Sequence, residues 1–318
     1  MKSDAILETR NLVNFYDDSG LGLFGRSKKK QVLSDVSITI AHGEAFGIVG
    51  ESGCGKSTLS KAVLGLIDYS GEIRVKGQVV SAKRTKSVRK QVQAVFQDPS
   101  GALNSKKRIG WTLLEPLRVH KLGTKDEQND RVNQILELIG LDPSYKSRFP
   151  NELSGGQKQR ICIGASLILD PELLVADEPV SALDVSAGAQ ILNLLDELHR
   201  KLNLSLLFIS HNLNVVYYLC DRIAVMYKGQ IVEQGSSDDI YRNARHPYTQ
   251  ALLAAVPDID GTGGFADGNA AALREPSEHG CAYYALCPNA SETCGERNPD
   301  LADVGGDGDE HLVRCYGS

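Results

Sequence analysis

The stretch that most restricts how this chain can fold is Gly50-Glu51-Ser52-Gly53-Cys54-Gly55-Lys56-Ser57-Thr58. It follows a short apolar run, Glu44–Gly50, and precedes a run of helical spacing, Leu59–Ile67. Glycines at 50, 53 and 55 let the backbone curl so that its N–H groups point at phosphate oxygens. A helix starting near Lys56 adds its partial positive charge at the same point. Lys56 supplies a full charge for the β- and γ-phosphates of a nucleoside triphosphate, and the Ser57 hydroxyl is placed to ligate Mg²⁺. A strand, a phosphate loop and a helix in that order form a unit of an α/β fold. Taken alone they specify only a nucleotide site.

Strand-like and helical runs alternate from Ile6 to Val256, which predicts a largely parallel sheet. Val32–Ile40 alternates apolar and polar residues, whereas Leu173–Ala176 and Leu204–Ile209 are continuous apolar strands of a sheet interior. Strand signals vanish between Asp98 and Ser166, and Arg131–Ile139 reads as an amphipathic helix, so a helical subdomain inserted at about 98–166 is expected. Asp17–Lys30, with Lys28-Lys29-Lys30, reads as an exposed loop between edge strands. The glycine- and alanine-rich stretch Gly261–Gly280 reads as a linker. The expected division is therefore a domain over 1–256, a linker over 257–280 and a cysteine-rich region over 281–318.

Of 318 residues, 24% are charged and 42% hydrophobic, as in ordinary globular proteins. A formal net charge of -5 provides no broad basic field, so nucleic acid is not the expected partner. No apolar run reaches the length of about 18 residues needed to cross a bilayer, and the N-terminus has no signal-peptide core. Any membrane role must then come through a partner.

Two further stretches carry chemistry. Leu173–Ala176 runs into Asp177 and Glu178. Asp177 is positioned to hold Mg²⁺ through its water shell, and Glu178 to orient and deprotonate an attacking water. Leu153-Ser154-Gly155-Gly156-Gln157 lies just before a helix through Ile161–Leu169, so Ser154 and the amides of Gly155 and Gly156 form an anion-binding helix N-terminus.

Together these motifs resemble the ATP-binding subunits of ABC transporters. The resemblance implies a P-loop ATPase fold: a RecA-like core with an antiparallel β edge, an inserted helical subdomain and, here, a small cysteine-rich extension. It also implies that Ser154 to Gln157 cap the γ-phosphate of ATP bound to the opposite subunit. Gln97, after the strand Val92–Phe96, matches the glutamine that contacts Mg²⁺ and water and faces the membrane subunits. Tyr16 matches the aromatic that stacks on adenine, with Phe15 as the second choice. Ser181-Ala182-Leu183-Asp184 matches the loop that crosses between subunits, and His211 the histidine that holds the γ-phosphate. Val180 stands where threonine is usual and Asn212 where aspartate is usual, and neither change removes a catalytic group.

Gly22-Leu23-Phe24-Gly25-Arg26 and His246-Pro247-Tyr248-Thr249 narrow the resemblance to dipeptide/oligopeptide importer ATPases, and to the F-type member of their two-ATPase set. Relatives that import nickel, glutathione or oligosaccharides share these segments. The partners implied are a paralogous ATPase, two transmembrane permeases and, indirectly, an extracytoplasmic binding protein. The place implied is the cytoplasmic face of the membrane, as a peripheral subunit. An exporter or a non-transport ABC ATPase is the alternative, but the latter usually carries tandem cassettes or large inserted arms.

Four of the seven cysteines, Cys281, Cys287, Cys294 and Cys315, fall in the last 38 residues. In the resembling group these thiolates are associated with a [4Fe-4S] cluster, and a proline after a ligand cysteine, here Pro288, recurs in such sites. Zinc is the alternative, weakened by the absence of paired Cys-x2-Cys. Unligated thiols are the third reading. Cys54, Cys162 and Cys220 are scattered and read as incidental thiols. The acidic run Asp303–Glu310 lacks calcium-loop spacing and reads as a solvated loop.

Overall fold

A computed structural model describes residues 5–18, 28–255, 274–277, 279–305 and 310–317. In chain order the elements are β1 (Ala5–Asp18), β2 (Lys28–Ala41), β3 (Ala45–Val49), α1 (Lys56–Leu64), β4 (Ser70–Val75), β5 (Gln78–Val79), α2 (Lys86–Gln91) and β6 (Val92–Val95). Then come α3 (Pro99–Ala102), α4 (Ile109–His120), α5 (Lys125–Leu138), α6 (Gly155–Leu167), β7 (Leu173–Asp177), α7 (Val185–Leu202), β8 (Ser205–Ser210), α8 (Leu213–Leu219), β9 (Arg222–Tyr227) and β10 (Gln230–Ser236). The chain closes with α9 (Ser237–Arg242), α10 (Pro247–Ala254), α11 (Glu292–Glu296), β11 (Ala302–Asp303) and β12 (Leu312–Val313).

Two sheets form. The smaller is antiparallel, in the order β2-β1-β4-β5, and the larger runs β11-β12-β10-β9-β3-β8-β7-β6. From β9 to β6 the larger sheet is parallel, and β3 lies at its centre between β8 and β9. Every residue of β3, β7 and β8 is buried, which explains why their sequences are continuous apolar runs and not alternating ones. Phe46 and Ile48 of β3 pack with Leu59 and Val63 of α1 in the core shared with the smaller sheet. Val49 of β3 and Phe208 of β8 face the second core, under the helices. Full burial of each such side chain contributes about 1.5–3 kcal/mol.

Between β6 and β7 no strand occurs, and α3 to α6 pack against one another. Helix α5 begins earlier than its apolar spacing suggests, because Thr124 and Glu127 form a reciprocal capping box that starts it at Lys125. Part of the loop expected over Asp17–Lys30 is strand. Asp17 pairs with Lys29 and Tyr16 with Lys30 as β1 and β2 continue outward. The Gly22–Arg26 segment lies outside the described residues, as does all of the expected linker except 274–277 and 279–280.

The C-terminal region is not the appendage its composition suggests. Strand β12 pairs with β10 through Glu233↔Val313 and Gln234↔Leu312, and β11 pairs in turn with β12. Tyr283, Cys287 and Val313 are buried. Arg314 is also buried and donates from Nε to the Ile231 carbonyl (3.0 Å) and from a terminal nitrogen to Pro299 O (3.1 Å). His311 Nε2 lies 2.8 Å from Glu233 Oε1 in a fully buried pair. Sheet pairing and packing therefore hold this region, a long-range arrangement that a local reading of a small, polar segment does not reveal.

Candidate nucleotide site

The loop joining β3 to α1 occupies the carboxyl end of the central parallel strand. Gly55 caps α1 with φ 116°, a left-handed value that glycine adopts without penalty. A Cβ on Gly50 would meet the Met226 carbonyl oxygen at 2.2 Å, so only glycine fits there. Lys56 is buried, and its Nζ donates to Gly50 O (2.6 Å) and Glu51 O (2.9 Å). These bonds fold the lysine back along the loop and hold its charge at the site.

Asp177 ends β7 and is also buried. Its Oδ1 accepts from Ser57 Oγ at 3.1 Å and its Oδ2 from Ser60 Oγ at 2.8 Å. Ser57 and Asp177 thus place two oxygen donors side by side. Mg²⁺ needs only one or two protein ligands when phosphates and waters supply the rest, so this pair fits it. Ser60 escaped the sequence reading because the motif ends at Thr58. The available signal was its position one helical turn after Lys56 and Ser57, on the same face of α1.

Glu178 has φ 48°, a left-handed value that is strained for a residue with a side chain. The conformation is held by its N–H donating to Ile209 O (2.9 Å) and by its carbonyl accepting from Ser181 Oγ (3.1 Å). The turn aims its carboxylate toward His211, whose Nδ1 lies 3.2 Å from Glu178 Oε2. A cavity of about 290 Å³ is lined by Ser52, Gly53, Gly55, Lys56, Ser57, Thr58, Gln97 and Glu178, with Val32 at one wall. The structure therefore brings the phosphate loop, Gln97 and Glu178 around one space. A second cavity, of about 340 Å³, shares Glu178 with it and adds Asp184, Val185, His211 and Asn212.

Three groups of expected residues lie elsewhere. Tyr16 (41% exposed) and Phe15 (50%) stand at the outer part of β1 and do not line the phosphate cavity. Ser154 to Gln157 also lie off that cavity, on the exposed N-terminus of α6. The helix starts at Gly155, earlier than expected, and Ser154 is its cap. Its Oγ accepts from Gln157 N (3.3 Å) while Gln157 Oε1 accepts from Ser154 N (3.0 Å). Asp184 caps α7 by accepting from Ala187 N (2.9 Å). Next to it Val185 is 92% exposed. Asn212 caps α8, accepting from Asn214 N and Val215 N, so the exchange of aspartate for asparagine leaves the capping function intact.

The comparisons with known proteins agree with this geometry. Residues 33–181 match the family described as ABC transporter, and residues 232–294 match the family described as oligopeptide/dipeptide transporter, C-terminal region. The oligopeptide transport ATP-binding protein AppF of Bacillus subtilis (strain 168) is 41% identical over 98% of this chain and 97% of its own length. The chain belongs to the ABC transporter ATPases. A putative peptide import ATP-binding protein of Brucella abortus (strain 2308) is 43% identical, covering 98% of the chain and 94% of its own length. Among solved structures, cbiO1 from Clostridium perfringens, part of the ABC transporter complex cbiONQ, superposes with a TM-score of 0.66 at 28% identity, over 76% of this chain and 93% of that one. The ATP-binding cassette MJ0796, solved as a post-hydrolysis dimer with ADP and phosphate, gives 0.63 at 25% identity, over 73% and 98%. The ABC ATPase fold and ATP hydrolysis follow from this membership.

The cysteines of the cassette's C-terminal region require a correction. All four, Cys281, Cys287, Cys294 and Cys315, line one cavity of about 400 Å³. Among the described residues, however, no group of three or more Cys, His, Asp or Glu side chains converges closely enough to hold a metal ion. Two of the sulfurs have local partners: Cys294 Sγ lies 3.2 Å from Ser291 Oγ, and Cys315 Sγ accepts from Gly317 N at 3.4 Å. Burial pushes the thiols of Cys281 and Cys287 above their ordinary pKa, and neighbouring cysteines add to the rise. The [4Fe-4S] ligand set expected from the sequence is therefore not assembled here. Cys54 and Cys220 are buried thiols as read, and burial pushes Cys162 up to about 12.

Proposed function

We propose that this chain is the ATP-hydrolysing subunit of a binding-protein-dependent importer of di- or oligopeptides, seated on the cytoplasmic face of the membrane and paired with a paralogous ATPase. The observation that carries the reading is the division of the phosphate site. Lys56, Ser57, Gln97 and Glu178 surround one cavity, while Ser154 to Gln157 stand away from it at the N-terminus of α6. A second cassette would supply its own signature helix to this cavity and receive this one in return. The names of the AppF and Brucella relatives support peptide as the cargo.

In this mechanism Lys56 and the loop amides hold the β- and γ-phosphates. Ser57 and Asp177 hold Mg²⁺, which when bound neutralises charge on those phosphates. Glu178 accepts a proton from the water that attacks the γ-phosphorus, and His211 orients the Glu178 carboxylate and contacts the γ-phosphate. Tyr16 stacks on adenine from the β1 edge, and Asp184 lies in the loop that crosses to the partner. The apposed ATP-bound dimer separates after hydrolysis, and that cycle moves two permease subunits between inward- and outward-facing states. Cargo selectivity resides in the permeases and binding protein.

Recovery of the tagged chain with two polytopic membrane proteins and a second, similar ATPase is the expected result. Recovery with ribosomes or DNA would overturn the assignment.

A further inference from the structure

The His246-Pro247-Tyr248-Thr249 segment has no part in the hydrolytic scheme, yet it reaches the phosphate loop. Tyr248 is 2% exposed, and its hydroxyl accepts the Glu51 N–H at 3.1 Å. That N–H and the Gly50 carbonyl belong to the same peptide unit, and the Gly50 carbonyl accepts from Lys56 Nζ at 2.6 Å. One peptide plane is thus gripped from both sides, by the tyrosine hydroxyl and by the phosphate-binding lysine. Rotation of that plane would withdraw the carbonyl from Lys56 and shift the ammonium.

The tyrosine is itself held firmly. Its N–H donates to His246 Nδ1 (3.1 Å), and the His246 N–H donates to the buried Glu233 carboxylate (3.1 Å). Its ring packs against Tyr227, with centroids 4.5 Å apart, and against Tyr283, at 5.5 Å. Tyr283 meets Tyr227 edge-on at 5.3 Å. Burial raises the phenol's pKa, so the hydroxyl keeps its proton. Tyr283 and His246 also line the four-cysteine cavity, which places the wall of that cavity one ring away from the phosphate loop.

We propose that Tyr248 is a positioning residue of the nucleotide site: it sets the Gly50–Glu51 peptide that holds Lys56 and ties the phosphate loop to the C-terminal region through Tyr283. The inference concerns ATP binding by the single chain and requires neither a partner ATPase nor a particular cargo. The test compares full-length wild type with Tyr248→Phe, which keeps the ring and removes the hydroxyl. Equilibrium titration with MgATP should show affinity weakened at least threefold, and up to about tenfold, the range for loss of one neutral hydrogen bond. Amide hydrogen exchange should accelerate in peptides spanning 50–55 and stay unchanged in β7 and β8. An affinity change below threefold, or exchange accelerated throughout the central sheet, would overturn the proposal.

Discussion

Glu178 shows how the backbone serves the chemistry at a single position. A left-handed conformation costs a non-glycine residue on the order of 1–3 kcal/mol, and two backbone-directed hydrogen bonds hold it in place. The strain points a carboxylate at the phosphate cavity from the end of a buried strand. Glu178→Gln keeps the shape but cannot accept a proton, so ATP hydrolysis should fall by about 10²–10⁴-fold while MgATP still binds. Phosphate release within tenfold of wild type would place the base elsewhere. Ser60 acts on the neighbouring acid. In Ser60→Ala the buried Asp177 Oδ2 loses its donor, which should cost about 1–3 kcal/mol of stability. Urea denaturation without nucleotide measures this, and an unchanged midpoint would mean that water replaces the hydroxyl.

At the scale of elements, the chemistry lies at strand ends and helix starts. Lys56 opens α1, Ser154 caps α6, Asp184 caps α7 and Asn212 caps α8. Those positions carry the unpaired backbone amides and the helix dipole, which is why capping side chains gather there. Helix α10 adds a pH dependence through its cap, His246. Burial lowers this imidazole from 6.5 to about 4, so the folded state keeps it neutral where the unfolded chain protonates it. Its contribution is fully present above pH 6.5 and is lost as pH falls toward about 4, at roughly 1 kcal/mol per pH unit. His246→Asn should flatten the fall in denaturation midpoint between pH 6.5 and 4. Parallel pH profiles for the two proteins would show that His246 does not govern this slope.

For the molecule as a whole, the C-terminal region completes the large sheet. Removal of residues 299–318 would strip β12 from β10, leaving an open strand edge and a buried Glu233 without His311. Loss of the strand pairing and of this buried hydrogen-bond partner should make the truncated chain melt at lower temperature and aggregate, as seen by light scattering. A soluble monomer with wild-type melting would show that the region is dispensable for the fold. The sequence alone determined the nucleotide chemistry and the local elements around it. The Lys56 bonds to the phosphate loop and the Ser154 cap join near neighbours, so their residue types can be read directly. Only the tertiary structure decided what depends on distant pairings: Ser60 on Asp177, β12 on β10, and four cysteines around a shared cavity without a converged metal site. The contact of Tyr248 with the Glu51 amide spans 197 positions. No local pattern records such a contact, because the chain must close a long loop before the two groups can meet.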